Sequence, residues 1–290
     1  MLVDLVQTTT SDGLRLDGAY QAPSGPGPAP LGLDAFCFIH GTGGNFYSST
    51  LFDSFADRLL KLGCGVLRVN TRGHDGISTA ATGRGGRRLG AAYEAVDDCR
   101  QDLAAWIQWL TQNAGPRVGL LAHSLGAVKA IYALSRTPQP AVGCLVALSP
   151  PRLSYSVFCQ SPQGPAFLET YQSAERLIQD GRPEALLEVQ LPLPYVVTAA
   201  GFVEKYGPDE RFNFLQFVAS VPCPTLITFG SLETESNMAF QGVPDALALL
   251  AVRHRNLQVE IIAAGDHFYS GVRQEVVSRV EGWLQSKALI

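Results

Sequence analysis

The chain is expected to fold as an α/β domain, with a mostly parallel central sheet and helices on both faces. Three observations predict this. Short apolar runs at 35–39, 65–69, 117–121, 142–148, 224–229 and 257–262 have the length and composition of buried strands. Between them lie segments with apolar residues at helical spacing, such as Val96, Cys99, Leu103, Trp106, Ile107 and Leu110, or Val272, Val276, Val280, Trp283 and Leu284. Strand and helix alternate strictly, and crossovers of that kind join parallel neighbours. With 290 residues and 46% hydrophobic content, the chain can bury about three quarters of its unfolded surface in one core.

The elements follow in order. Leu14, Leu16 and Tyr20 alternate with Arg15 and Asp17 in an early strand, entered by the turn Ser11-Asp12-Gly13 and left through the Pro/Gly-rich run from Pro23 to Pro30. The strand at 35–39 ends in His40-Gly41-Thr42-Gly43-Gly44, where glycines let backbone approach a ligand with no Cβ in the way. No Gly-Lys-Ser/Thr ending follows, which argues against a nucleotide-binding loop. The strand at 65–69 runs into Asn70-Thr71-Arg72-Gly73-His74-Asp75, and His74 is a candidate for the wall of a pocket. Arg84, Arg87 and Arg88, between Gly83 and Gly90, read as a solvated glycine-rich loop, with binding of an acidic substrate as the alternative.

The strand at 117–121 stops at Ala122-His123-Ser124-Leu125-Gly126, and a helical pattern begins at Leu125. Ser124 therefore sits on a strand-to-helix hinge, the position of a nucleophilic serine. Small residues two before and two after it suit a hinge this tight, and the N–H of Leu125 stands at a helix N-terminus, facing any oxyanion formed on a substrate carbonyl. His123 is expected to pack or hydrogen-bond locally. Residues 152–220, between Pro150-Pro151 and Pro222-Cys223-Pro224, break the alternation: they offer no clear core strand, only an amphipathic helix marked by Phe167, Tyr171, Ala174 and Ile178 and an excess of aromatic residues.

Two further strand ends complete a set of reactive side chains. Glu233 follows the strand at 224–229 and is the expected acid, with Glu235 and Asp245 as competitors. His267, in Ala264-Gly265-Asp266-His267-Phe268, follows the strand at 257–262, precedes a helix over 271–285, and is the expected general base. Asp266 adjoins it, and its side chain should point elsewhere. The second oxyanion donor would be the N–H of Thr42.

With these features in this order, the chain resembles the alpha/beta-hydrolase superfamily over most of its length. His40-Gly41-Thr42 matches the oxyanion loop, Asn70 to Asp75 the segment after the next strand, and Ser124, Glu233 and His267 the triad positions. The elbow begins with Ala122 in place of the usual glycine, and the acid is glutamate where aspartate is more usual. The resemblance implies an alpha/beta-hydrolase fold with a catalytic core at 1–151 and 221–290 and a largely helical cap at 152–220. It implies a serine hydrolase that cleaves carboxylic esters of apolar acyl or aryl substrates through an acyl-enzyme. Thioesterase, amidase and acyltransferase chemistry use the same triad, and a non-catalytic small-molecule binding module on this fold is the alternative of another class. His40, Gly43, His74 and Phe268 are the candidate pocket-lining residues. Dehalogenase and epoxide hydrolase relatives carry aspartate where this chain has Ser124.

Composition narrows the remaining classes. With 22 basic against 26 acidic residues and a formal charge of −4, the chain offers no general attraction to nucleic acid or anionic membrane. The longest uncharged stretch, from Phe212 to Leu232, contains Pro222, Pro224, Asn213 and Gln216 and does not suit a membrane span. The six cysteines include no Cys-x-x-Cys pair, and free thiols are expected. Met1-Leu2-Val3-Asp4 lacks a signal-peptide pattern, so a cytoplasmic location is expected. No His-Glu-x-x-His or paired Cys/His spacing occurs, so neither a catalytic metal nor an organic cofactor is expected, and the partner is a small-molecule ester.

Overall fold

The computed structural model describes residues 2–23, 25, 31–83 and 85–287. Most of the Pro/Gly-rich run before the strand at 35–39, and Arg84, lie outside the described residues. The chain opens with β1 (Asp4–Thr9) and β2 (Arg15–Gln21), followed by β3 (Ala35–Ile39), helix α1 (Thr50–Lys61), β4 (Gly65–Val69) and the hairpin β5 (Ser78–Thr82) and β6 (Gly85–Leu89). Next come α2 (Cys99–Asn113), β7 (Val118–His123), α3 (Leu125–Arg136) and β8 (Val142–Leu148). The segment without a core strand holds α4 (Tyr155–Gln160), α5 (Gly164–Gln179), the hairpin β9 (Leu186–Val189) and β10 (Tyr195–Thr198), and α6 (Ala199–Tyr206). The core resumes with β11 (Thr225–Gly230), α7 (Ser231–Ser236), α8 (Val243–Ala251), β12 (Leu257–Ile262) and α9 (Arg273–Ser286).

Among the described residues, eight strands form one sheet in the order β1-β2-β4-β3-β7-β8-β11-β12. The pairs β1–β2 and β2–β4 are antiparallel and the rest are parallel. Alternating residues of the central strands feed two cores, as a period of two requires. Phe36 and Phe38 pack with α1 and α9 through Leu51, Phe52, Phe55, Val276 and Trp283, whereas Cys37 and Ile39 pack with α2 and α3 through Leu103, Trp106, Val128 and Ile131. Covering both faces explains why these strands read as unbroken apolar runs.

Register places the site. Ile39 pairs with Ala122, His123 with Leu148, Leu148 with Thr228, and Gly230 with Ile262. The carboxyl ends of β3, β7, β8, β11 and β12 therefore align along one edge of the sheet, so the loops after them meet. Arg72, which is 1% exposed, ties the loop after β4 to α2: it donates to Asp102 at 2.8 Å and to Asp98 at 2.7 Å.

Three departures from the sequence-based expectation have physical causes. β1 is a strand where none was expected: it is an edge strand whose Leu5 is exposed and whose Val6 is half-buried, so the apolar pair is adjacent and shows no alternation. Arg87 and Arg88 lie on β6 and not on a loop, paired to Ala80 and Thr79 of β5 respectively. Segment 152–220 includes the β9–β10 hairpin, which stays outside the main sheet. None of the six cysteines forms a disulfide; burial pushes the Cys64 thiol up to about 11 and the Cys223 thiol to about 12. No helix among the described residues is long and apolar enough to cross a membrane.

Candidate active site

Ser124 joins β7 to α3 at φ 57° and ψ −129°, a conformation that costs a non-glycine residue on the order of 1–3 kcal/mol. The surroundings hold it there. Its N–H donates to the Leu148 carbonyl at 2.9 Å, and the hinge packs so closely on the loop after β3 that a Cβ on Gly126 would strike the carbonyl oxygens of Ile39 and His40. A Cβ on Gly41 would lie 2.7 Å from that of Ser124, so both glycines are required by close approach.

The strained turn presents Ser124 Oγ to His267, whose Nε2 lies 3.0 Å away. The other ring nitrogen, Nδ1, lies 2.7 Å from Glu233 Oε2. Glu233 is itself fixed by two neighbours: its Oε1 accepts from the Gly230 N–H at 2.8 Å and from Ser149 Oγ at 2.5 Å, and Ser149 Oγ in turn lies 2.9 Å from the Tyr269 hydroxyl. Thr228 Oγ1, 2.7 Å from that hydroxyl, completes a buried chain. Glu235 is exposed on the far side of α7 and Asp245 is exposed on α8, so neither carboxylate is paired with the histidine. Asp266 turns away as expected, accepting from the N–H groups of Phe268 at 2.9 Å and Ser270 at 2.8 Å and so shaping the loop that carries His267.

The N–H groups of Thr42 and Leu125 donate to no other group among the described residues, and both residues border the same cavity as Ser124. This cavity has a volume of about 620 Å³. Its wall includes Leu153, Pro192, Leu193 and Tyr206 from segment 152–220, and Phe52, Phe240 and Phe268 from the rest of the chain. Tyr206 is the one aromatic residue of that segment among those described as lining it. The segment's other rings pack elsewhere: Phe158, Phe167 and Phe202 stack on one another and on Tyr206, while Phe212 and Phe217 stack on Tyr132 of α3.

Of the four candidate lining residues, His40 and Phe268 border the cavity and Gly43 and His74 do not. Gly43 is a turn residue at φ 62° facing Asp75 and Ala91. His74 faces its own loop, with Nδ1 2.8 Å from Asp75 Oδ2 and Nε2 3.2 Å from Ser78 Oγ.

From residue 38 to residue 279 the sequence matches the model of the alpha/beta hydrolase family. The chain belongs to that family. Solved structures similar to this alpha/beta hydrolase include GrgF, an alpha/beta hydrolase from Penicillium sp. sh18, at 15% identity and TM-score 0.69 with 100% of each chain covered. Est1E from Butyrivibrio proteoclasticus, with ferulic acid bound, is similar at 15% identity and TM-score 0.65 over 97% of this chain and 98% of its own. The Pyrococcus furiosus esterase Pf2001 is similar at 21% identity and TM-score 0.59 over 98% of this chain and 92% of its own. Comparison with curated protein sequences finds no match.

Several residues of the hydrolase site escaped the sequence analysis. Ser149 closes β8 at the same sheet edge as the other loops, and a polar residue ending an apolar strand there was a usable signal. Tyr269 and Arg273 gave none, because a tyrosine and an arginine at the start of a helix are ordinary. His123 does hydrogen-bond locally: its Nε2 lies 2.7 Å from the His267 carbonyl, and it also borders the cavity.

Two buried rings make the fold sensitive to acid. Burial, with the nearby Lys129 charge, lowers His40 to about 4, and burial, with the neighbouring His267, lowers His123 to about 3. Both rings are neutral in the folded hydrolase, so His123 donates from Nε2 to the His267 carbonyl and His40 Nδ1 donates to the Gly41 carbonyl at 2.8 Å. In the unfolded chain each titrates near a pKa of about 6.5, so below that pH the unfolded state binds more protons and stability falls. Urea unfolding between about pH 6.5 and 5 should show proton uptake approaching two per molecule from this pair. His123→Gln, which keeps a donor but does not titrate, should make the slope shallower by about one proton; an unchanged slope would mean that His123 is not held neutral.

Proposed function

We propose that the protein is a serine hydrolase that cleaves carboxylic esters of apolar acyl or aryl groups through an acyl-enzyme. The observation that carries this reading is the continuous chain Ser124 Oγ, His267 Nε2, His267 Nδ1 and Glu233 Oε2, with links of 3.0 and 2.7 Å, at the wall of a 620 Å³ cavity. Ser124 attacks the ester carbonyl while His267 takes its proton; Glu233 holds the imidazole with Nδ1–H towards itself and stabilises the imidazolium. The tetrahedral oxyanion is received by the N–H groups of Leu125 and Thr42. His267 then protonates the departing alcohol, and water, deprotonated by the same ring, releases the acid and regenerates Ser124. This chemistry draws on the protein's own side chains and backbone alone.

Segment 152–220 acts as the cap in this reading, and its apolar Leu153, Pro192 and Leu193 favour an apolar substrate. Selection comes less from an aromatic lining than from these aliphatic side chains, because the cap rings pack mainly on one another and on α3. A fluorophosphonate probe should label the intact protein, and straight-chain p-nitrophenyl esters should be hydrolysed. Each added methylene that is buried contributes roughly 0.8 kcal/mol, about fourfold in kcat/KM where it also favours the transition state. Leu193→Ala should flatten that dependence. Failure of the probe to label, or an unchanged response to chain length in Leu193→Ala, would count against the activity and the cap role respectively.

A further inference from the structure

We propose that Arg273 binds a carboxylate on the substrate, so that the ester cleaved at Ser124 carries an anionic group remote from its scissile carbonyl. The inference deepens the hydrolase reading and rests on it for the role of Ser124. Arg273 is the first residue of α9 and borders the same cavity as Ser124, His267 and Phe268. It carries the only permanent charge among the described lining residues, which include no aspartate or glutamate; the rings of His40 and His123, also on the wall, are neutral.

The placement is not explained by stability. A cation at the start of a helix opposes the macrodipole, which favours negative charge at that end. Arg273 has no ion-pair or hydrogen-bond partner for its side chain among the described residues, and its Nε is buried with no acceptor. Glu275, the nearest acid on the helix, pairs with Arg279 at 3.6 Å instead. A guanidinium presents five donors in a planar fork, and with none of them paired among the described residues the group is free to meet an anion in the cavity.

The charge decides the ligand. A carboxylate matches the fork in two parallel hydrogen bonds and carries one negative charge, which one arginine balances. A phosphate dianion would leave a second charge beside an apolar wall. Ser48 and Ser270 line the same cavity and add hydroxyl donors to its wall.

The test compares matched substrates that differ in charge alone: the p-nitrophenyl monoesters of succinic to suberic acid, and the same esters with the free carboxyl converted to a carboxamide. At the length that reaches Arg273, the carboxylate ester should be preferred by roughly tenfold to a hundredfold in kcat/KM, mainly through KM, as expected for a charge-assisted hydrogen-bonded contact. In Arg273→Gln that ratio should fall towards one, and in Arg273→Lys part of it should remain. No preference at any length in the intact enzyme, or a preference that survives in Arg273→Gln, would overturn the proposal; a stronger preference for a phosphonate-ended ester would overturn the carboxylate assignment. Calorimetric binding of hexanoate and of hexanamide to Ser124→Ala, with and without Arg273→Gln, separates this proposal from the activity itself. Hexanoate binding that depends on Arg273 supports the anion site even if no ester is cleaved, and equal binding of acid and amide refutes it even if esters are cleaved.

Discussion

Ser124→Ala is expected to lower the turnover number on a p-nitrophenyl ester by about six decades, the loss seen when the serine of a triad acting as one unit is removed. The expectation follows from the turn as much as from the hydroxyl. The hinge at φ 57° aims Oγ away from the backbone and towards His267 Nε2 at 3.0 Å, and no other serine among the described residues hydrogen-bonds that ring. Alanine keeps the Cβ that the hinge already tolerates, and the Ser124 N–H to Leu148 bond is unaffected, so the thermal midpoint should move little. The residual rate should be the part contributed by the oxyanion donors and by substrate binding. Measurement of kcat with fluorophosphonate labelling checks this: activity within tenfold of the parent, or undiminished labelling, would remove Ser124 from the role of nucleophile.

The sequence made the fold legible because the central strands are buried on both faces. The runs at 35–39, 65–69 and 142–148 match β3, β4 and β8 residue for residue, since a short, mostly apolar run that ends in a polar residue has few other readings. The same logic fails at the edge. β1 buries little, so burial leaves no pattern in its composition, and β6 is two glycines and two arginines ahead of Leu89, exposed except at that leucine and paired with β5. The site divides in a similar way. Ser124, Glu233 and His267 stand at strand ends, where local sequence fixes geometry, and the structure brings all three within hydrogen-bond distance of one another in a row. What stayed hidden depends on contacts distant in sequence. Ser149 meets Glu233 84 positions away, and His123 meets His267 144 positions away; neither pairing has a local signature. The burial of the rings of segment 152–220 on one another was likewise beyond composition, which counts aromatic residues without saying which surface they face.

Glu233→Gln should cost about four decades in kcat, although the two side chains have nearly the same shape. The hydrogen bonds around Glu233 explain why so conservative a change is severe. Oε1 accepts from the Gly230 N–H at 2.8 Å and from Ser149 Oγ at 2.5 Å, and a backbone N–H can only donate. In glutamine the amide oxygen must therefore occupy the Oε1 position, which puts the NH2 group where Oε2 now lies, 2.7 Å from His267 Nδ1. An NH2 group facing Nδ1 obliges that nitrogen to accept, so the ring proton moves to Nε2. There it donates towards Ser124 Oγ, and the base needed to take the serine proton is gone. The imidazolium formed on attack also loses its carboxylate partner. Nitrogen NMR of the imidazole should report Nδ1–H in the parent and Nε2–H in Glu233→Gln. Glu235→Gln, whose carboxylate is exposed on the far side of α7, should retain the parent's kcat and tautomer. A Glu233→Gln enzyme within tenfold of the parent, or one with the parent's tautomer, would show that Glu233 does not set the protonation of His267.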